Sequence, residues 1–166
     1  MIAGKRMVNK TKRVIGWKEK VDFVDFDLHD VDAKIDTGAT TSVLHCSSIA
    51  LVKRYRKQYV KFTPLDAKIS CFNGKEFTLP YHKEKRIRNS FGEEENRFIV
   101  LTKVKLFGKL YEMEISLRNR ENLEFPVLLG RSFVRGRFLV DVAKADLSYK
   151  RKLKKAKETK ESLQKS

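Results

Sequence analysis

The sequence is poor in cysteine, in proline and in long apolar segments. Its two cysteines, Cys46 and Cys71, form no CxxC pair and are too few for a disulfide framework of the secreted type, so we expect reduced thiols. No apolar run approaches the roughly 20 residues that span a bilayer. Residues 1–13 are basic and contain no apolar segment of a secretory signal. These absences predict a cytoplasmic protein with no membrane partner.

Signatures of metal and nucleotide chemistry are missing as well. The sequence contains no H-E-x-x-H motif, and His29, His45 and His82 do not have the spacing of metal ligands. A site built from His29, His45 and Cys46 is conceivable, but packed or surface roles explain these side chains better. No phosphate-binding G-x-x-x-x-G-K-[ST] loop is present, and the glycines of 130–136 have a different spacing. We therefore expect neither a metal nor a cofactor.

Acidic residues are scarce relative to basic ones. The chain has 37 Lys and Arg against 21 Asp and Glu, a formal net charge of +16. Such a protein attracts nucleic acid, acidic peptide or an anionic surface. Residues 144–166 are Lys-rich, with apolar positions too sparse for a core-facing helix, so we expect a helical or disordered tail to which nucleic acid is one open partner. The domain then covers 13–143, after a basic extension over 1–12.

Apolar residues are spread along the chain in short runs. Eleven Phe and five Tyr, with frequent Val, Ile and Leu, favour one globular β-rich domain in a chain of 166 residues. Within it we predict a helical turn over 47–51, capped by serine. Asn-Gly at 73–74 predicts a hairpin that joins 67–72 to 76–81. One further helical turn is expected over 130–136, between two glycines.

One short segment carries a candidate reaction centre. Residues 31–35 alternate apolar and polar side chains, as a half-buried strand does, and deliver Asp36 into a turn. A carboxylate at the end of a buried strand costs free energy unless it is hydrogen-bonded or used. Thr37 supplies a hydroxyl group, and Gly38 permits close approach of another backbone segment or a positive φ. These features predict a catalytic or binding site.

The run Asp36-Thr37-Gly38-Ala39 resembles the active-site loop of retropepsin-like aspartic peptidases. Their second signal, two apolar residues and then Gly, recurs as Leu128-Leu129-Gly130-Arg131. A closer similarity, over 13–141, is to the small bacterial proteins labelled "ATP-dependent zinc protease". It is carried by the segments Val14-Ile15-Gly16-Trp17, Ala33 to Leu44, Arg86 to Gly92, Leu117 to Arg120, Leu128 to Arg131 and Val140-Asp141. At position 40, where this resemblance leads us to expect Arg, the chain has Thr40.

The resemblance implies an all-β, closed barrel-like domain with one short helical turn. Peptide hydrolysis by carboxylates needs two of them sharing a proton, and the sequence contains a single Asp-Thr-Gly, so we expect a homodimer in which each subunit contributes Asp36. The expected roles are catalysis by Asp36, an active-site loop of Thr37, Gly38 and Ala39, and support of that loop by Leu128, Leu129, Gly130 and Arg131.

The polar segment 83–95 lies between the two motifs, where a retropepsin-like chain has a mobile flap. An ordinary solvated loop is the alternative. Arginine binds carboxylates through two parallel hydrogen bonds, so arginines around this segment indicate an acidic substrate. The residues expected to form the flap or contact substrate are Arg86, Arg88, Ser90, Phe91, Gly92, Arg118 and Arg120. Some members of the resembling family are associated with an ATP-grasp ligase that adds glutamates to a ribosomal protein, which implies a glutamate-rich segment.

Three functions are compatible with the sequence. The first is a homodimeric aspartic peptidase that acts on an acidic protein segment. The second is a retropepsin-shaped module that binds peptides without cleaving them, and the third is a nucleic-acid or ribosome binder. Salt separates these alternatives, because phosphate binding weakens steeply as salt rises, whereas cleavage needs Asp36 at any salt concentration.

Overall fold

The computed structural model describes residues 11–88, 91–120 and 124–165. Its strands and helices are β1 Arg13–Ile15, β2 Lys18–Phe23, β3 Leu28–Ile35, β4 Ser42–Arg54, β5 Lys57–Pro64, β6 Phe77–Pro80, β7 Lys83–Arg88, β8 Glu94–Leu106, β9 Lys109–Arg118, β10 Val127–Leu129, α1 Arg131–Val134, β11 Phe138–Val140 and α2 Leu147–Gln164. A 3₁₀ turn, Val24–Phe26, separates β2 from β3.

The strands close into a ring. The main sheet runs in the order β10-β3-β2-β8-β9-β4-β5-β6, and β10 also pairs with β4, which joins the first strand of this order to a later one. The strand β7 pairs with β8 as a hairpin, and β1 pairs with β11 as a separate two-stranded parallel sheet. The expected all-β, closed barrel-like fold is therefore confirmed, with α1 as its one short helical turn.

Alternating side chains of the ring fill its interior. In β3, Val31, Ala33 and Ile35 are buried and belong to the core. Phe26 lies at the centre of an aromatic cluster, with ring centroids 5.3 Å from Phe62. Burying such side chains stabilises the fold by roughly 1.5–3 kcal/mol each. The buried face of β3 thus anchors the strand that ends at Asp36.

The predicted helical turn over 47–51 is wrong, because these residues belong to the long strand β4. They pair in antiparallel register with β5, from Ser48 opposite Thr63 to Arg54 opposite Lys57. A β-bulge at Cys46–Ser48 shifts the register of this ladder. Cross-strand pairing along the whole of β5 outweighs the local capping preference of two serines.

The predicted Asn73–Gly74 hairpin is also wrong. Residues 67–72 form turns rather than a strand, and β6 pairs with β5. Gly74 does adopt a positive φ of 69°. The Asn73 side-chain amide, however, donates to the backbone carbonyls of Phe26 and Asp27 at 2.9 and 3.0 Å. This turn therefore fastens the 67–76 segment to the end of the 3₁₀ turn.

Residues 147–164 of the basic tail are helical. Glu19, fully buried in β2, accepts hydrogen bonds from the backbone N–H groups of Leu147 and Ser148 at the start of α2. From Lys152 to Lys165 every residue is exposed. Lys152 Nζ in the second turn also lies 2.7 Å from Asp30 Oδ1, so the start of α2 as far as Lys152 is attached to the barrel and the rest of the helix projects into solvent. Within the described ranges, neither helix is long and apolar enough to cross a membrane.

Candidate active site

The loop that carries Asp36 is joined directly to the downstream motif. Strands β3 and β10 are parallel, with Ile35 opposite Leu129, and the Asp36 N–H donates to the Leu129 carbonyl at 2.9 Å. The Gly38 N–H then donates to Asp36 Oδ1 at 3.1 Å. Asp36 is half-buried, whereas Thr37 and Gly38 are exposed. The loop therefore presents its one carboxylate at the surface, orientated by a backbone N–H.

Gly130 lies where the loop crosses β10. A Cβ atom at this position would lie 2.8 Å from the Thr41 carbonyl carbon and 2.9 Å from the Thr40 carbonyl oxygen, too close for any side chain. The Gly130 N–H donates to Ser42 Oγ at 3.0 Å, in a buried hydrogen bond. Gly130 thus permits the backbone of the Asp36 loop to pack directly on the downstream motif.

Arg131 binds the Asp36 loop through three hydrogen bonds. Its guanidinium donates to the Thr37 carbonyl and to Thr40 Oγ1, both at 2.9 Å, and its backbone N–H donates to the Ala39 carbonyl at 2.8 Å. Thr40, which stands where Arg was expected, is therefore a hydrogen-bond partner of Arg131. Of the two preceding leucines, Leu129 is in the core and Leu128 is half-buried, outside the core.

Leu128 belongs to the motif on β10 that packs against the Asp36 loop. Strand pairing shows which other side chains lie on the same face of the sheet as Leu128. Leu128 is opposite Val43 on β4, and two residues further along β4 His45 is opposite Arg118 on β9. Because alternate residues of a strand lie on one face, these four side chains are on the face opposite the core residue Leu44. Arg118, one of the predicted substrate contacts, is thus on this outer face.

A second arginine, Arg97 on β8, accompanies Arg118. Arg97 Nε and Arg118 Nε lie 3.5 and 3.4 Å from the same oxygen, Oε2 of Glu95. Burial and the neighbouring Arg118 lower the pKa of Arg97, and Glu95 opposes this effect. Burial likewise lowers the pKa of Arg120, with Arg118 and Arg97 acting in the same direction and Asp36 against it. Arg120 therefore interacts electrostatically with Arg97, with Arg118 and with Asp36.

His45 orients this cluster, and the sequence analysis did not identify it as a site residue. Its Nδ1 accepts a hydrogen bond from the Arg120 backbone N–H at 3.0 Å, so the neutral ring carries its proton on Nε2, which donates to Asp66 Oδ2 at 2.7 Å. In the sequence, the only signal was one polar residue within the apolar run Val43 to Cys46. In the structure, the His45 side chain is buried, with 2% exposed.

Within segment 83–95, β7 pairs in antiparallel register with the start of β8, as far as Arg88 opposite Glu94. Phe91 near the tip of this hairpin is 91% exposed, and Gly92 has a φ of 81°. At the base, Lys85 Nζ donates to Thr41 Oγ1 at 2.9 Å, which attaches the hairpin to the Asp36 loop. Ser90, the remaining flap candidate, lies outside the described residues. This geometry places a projecting hairpin beside the loop.

Arg86 and Arg88 are exposed on β7 and both contact Glu94 across the hairpin. Arg86 Nε lies 3.0 Å and Arg88 Nη2 lies 3.4 Å from a Glu94 carboxylate oxygen. These two arginines therefore have Glu94 as their acidic partner, whereas Arg97 and Arg118 have Glu95. No group of three or more His, Cys, Asp or Glu side chains with metal-site geometry occurs in the described part of the chain.

Known proteins include chains similar to this one in fold and in sequence. A crystal structure of the Legionella pneumophila protein Lpg0085, described as of unknown function (DUF785), superposes with a TM-score of 0.69 at 27% identity, over 83% of this chain and 99% of that one. "Probable alpha-L-glutamate ligase" proteins of Desulfotalea psychrophila and Shewanella pealeana are 32% and 29% identical over 80% and 81% of this chain.

The chain spans less than a third of those ligase relatives, namely 28% and 29% of their lengths. The whole relatives are therefore much longer proteins that contain a region similar to this one. A family model described as "Retropepsin-like aspartic endopeptidase RimB" matches residues 14–151, which include the Asp36 loop, the hairpin and the Gly130 motif. The chain belongs to this RimB-like family of retropepsin-like proteins.

Proposed function

We propose that two copies of this chain form an aspartic endopeptidase that cleaves an acidic protein segment. The observation that supports it most directly is the attachment of the exposed Asp36 loop to β10 through Leu129, Gly130 and Arg131. A loop fastened in this way holds a carboxylate at a defined place on the surface, as proton transfer to and from a substrate requires.

The chemistry follows from two Asp36 carboxylates brought close together. Like charges at such a distance cannot both be ionised, so the pair holds one proton between them. The ionised carboxylate takes a proton from water, which attacks the scissile carbonyl, while the protonated one donates a hydrogen bond to the carbonyl oxygen. Collapse of the tetrahedral intermediate then delivers a proton to the leaving amine. The hairpin β7–β8 acts as the flap that covers the peptide.

A homodimer is supported by apolar exposure as well as by the single Asp-Thr-Gly motif. Val14 on β1 and Leu139 on β11 are paired in register and are 37% and 54% exposed, and Val142 just beyond is 78% exposed. Exposed apolar side chains that are neighbours on one sheet are typical of association surfaces. We expect a second copy to cover this sheet.

An acidic substrate is supported by charge. Arg120 interacts electrostatically with Asp36 and with the neighbouring Arg97 and Arg118, and arginine binds carboxylates strongly. Matching relatives are named probable alpha-L-glutamate ligases, so the substrate we propose is a glutamate-rich segment.

The test is cleavage of a glutamate-rich peptide and of a matched glutamine-rich peptide, followed by mass spectrometry. Wild type should cleave the former, and Asp36→Asn should abolish cleavage without changing the unfolding temperature, because the amide has nearly the same volume but cannot act as a base. EDTA should leave the rate unchanged. Equal cleavage by wild type and Asp36→Asn would contradict the mechanism. Binding of the peptide without cleavage would favour the non-catalytic module.

Nucleic-acid binding through α2 is a second candidate. Lys152 is ion-paired with Asp22 and Asp30, but the following residues of α2 and its C-terminal neighbour are exposed and include Lys154, Lys155, Lys157, Lys160 and Lys165. An uncovered basic helix supplies the sequence-independent, phosphate-directed part of nucleic-acid affinity. Its test is the salt dependence of binding to a single-stranded RNA, which should be steep for the full chain and much shallower when α2 is shortened.

A further inference from the structure

Arg97 and Arg118 share one acidic partner at suboptimal distances. Glu95 Oε2 is 3.5 Å from Arg97 Nε and 3.4 Å from Arg118 Nε. A charge-assisted N–H···O hydrogen bond is normally about 2.7–2.9 Å long. Among the described residues, Glu95 is the only one whose carboxylate lies within 4 Å of either guanidinium. Two cations therefore compete for one anion.

The more deeply buried arginine has an unused donor. The Arg97 side chain is 9% exposed, and its Nε has no hydrogen-bond partner among the residues that the structure describes. A buried guanidinium donor without an acceptor costs free energy, and a second carboxylate would recover it. Arg97 and Arg118 together therefore have donor capacity for a second carboxylate.

Glu95 is placed so that it can be exchanged. Its side chain is 43% exposed, against 9% for Arg97 and 28% for Arg118, so it covers the arginines from the solvent side. It also lies on β8 next to Glu94 and opposite Ile87, near the tip end of the hairpin proposed as the flap. A peptide that approaches from solvent would therefore meet the Glu95 carboxylate before it reaches the two arginines.

We propose that Arg97 and Arg118 form a subsite for the side-chain carboxylate of a substrate glutamate or aspartate, and that Glu95 occupies this subsite until the substrate displaces it. This inference rests on the proposed function, because it assumes that the peptide lies along the cleft beside Asp36. Glu95 then acts as an internal competitor, which lowers the affinity for acidic peptides and excludes neutral ones that cannot replace it.

Binding, measured apart from cleavage, tests the subsite. All variants carry Asp36→Asn, and fluorescence anisotropy at one ionic strength reports the affinity for labelled hexaglutamate and hexaglutamine. Arg118→Gln should weaken hexaglutamate binding by about 10- to 100-fold, as expected for loss of a charged hydrogen bond, and leave hexaglutamine binding unchanged. Arg135→Gln, which removes the same charge from the exposed residue that follows α1, is the matched control and should have little effect.

Glu95→Gln is the decisive variant, because the two explanations of Glu95 predict opposite results. Removal of an internal competitor should tighten hexaglutamate binding, whereas removal of a purely structural anchor should weaken it and overturn the proposal. Arg118→Lys keeps the charge but not the planar fork and should give an intermediate loss. Equal losses in Arg118→Gln and Arg135→Gln would mean general charge attraction and would also overturn the proposal.

The outcomes for the subsite and for the peptidase are separable. If the variants bind as expected but the chain with Asp36 intact cleaves no peptide, the subsite stands and the peptidase assignment fails. If Asp36-dependent cleavage occurs and Arg118→Gln leaves KM for the glutamate peptide unchanged, the peptidase assignment stands and the subsite fails. Thermal unfolding of each variant verifies that the fold is intact.

Discussion

The backbone N–H of Asp36 donates a hydrogen bond to the carbonyl of Leu129 at 2.9 Å. This bond connects the two motifs of the candidate site, which are far apart in the chain. Because it extends the parallel pairing of β3 with β10 by one residue, the position of Asp36 depends on the barrel closing correctly. Changes that disturb the loop and β10 together should therefore affect activity and stability together.

Gly130→Ala should damage both properties. A Cβ atom there would lie within 3.0 Å of backbone atoms of Ala39, Thr40 and Thr41, so the loop has to move. We expect a loss of about 1–3 kcal/mol in the free energy of unfolding, typical of overpacking, and a larger proportional loss of cleavage. Chemical denaturation and peptide assays measure the two. The exposed neighbour Ser132→Ala is the control; an unchanged Gly130→Ala protein would contradict the packing argument.

Activity should depend on protein concentration. With one Asp36 per chain, a monomer holds half a site, so specific activity should rise until the dimer is saturated. Two subunits that each carry +16 repel one another, and salt or an acidic peptide should strengthen their association. Sedimentation and activity measured on the same samples test this. Full activity of a strictly monomeric sample would indicate a second carboxylate in the same chain, with Asp141 as the first candidate.

Two truncations should separate the attached part of α2 from its projecting part. Deletion of 156–166 should leave the unfolding temperature within about 2 °C of the full chain, because those residues are exposed. Deletion of 147–166 removes two of the three backbone N–H groups that bond buried Glu19, the third being that of Gly16. Leaving that carboxylate undersatisfied should cost about 2–4 kcal/mol. Equal melting of the two truncated chains would contradict this role of α2.

Stability should depend on pH through Asp66. The Lys68 backbone N–H and His45 hold the pKa of Asp66 below its ordinary value of 3.8. The ionised carboxylate therefore stabilises the fold above about pH 4, and this contribution is lost as the pH falls through the lower folded-state pKa. Asp66→Asn should lower the unfolding temperature at pH 7, with the difference from wild type shrinking below pH 4. Exposed Glu158→Gln should show no difference at either pH.

Asp66→Asn should also affect peptide binding at the candidate active site. Asp66 accepts from His45, and His45 in turn accepts the Arg120 backbone N–H. We expect Asp66→Asn to raise KM for an acidic peptide more than it lowers kcat, because it loosens the segment that carries Arg120 without touching Asp36. An effect on kcat alone would contradict this positioning role.

Much of the fold and the loop could be predicted from local pattern. The alternation over 31–35, the carboxylate after it and the glycine that follows are all contiguous, and a strand with its turn is decided by neighbouring residues. The all-β class likewise follows from short aromatic and β-branched runs. The helical turn at α1 was predictable for the same reason, since glycines bracket it.

Tertiary structure alone decided the remaining features. By local preference Ser47 and Ser48 could cap a helix, but in the fold this segment pairs with β5 instead. Asn73 could likewise begin a hairpin turn, but its side-chain amide binds the carbonyl of Phe26. Contacts such as Arg97 and Arg118 on one Glu95 oxygen, or Arg120 on His45, depend on strand order and register. These are set by burial of apolar side chains over the whole barrel, and no local propensity encodes them.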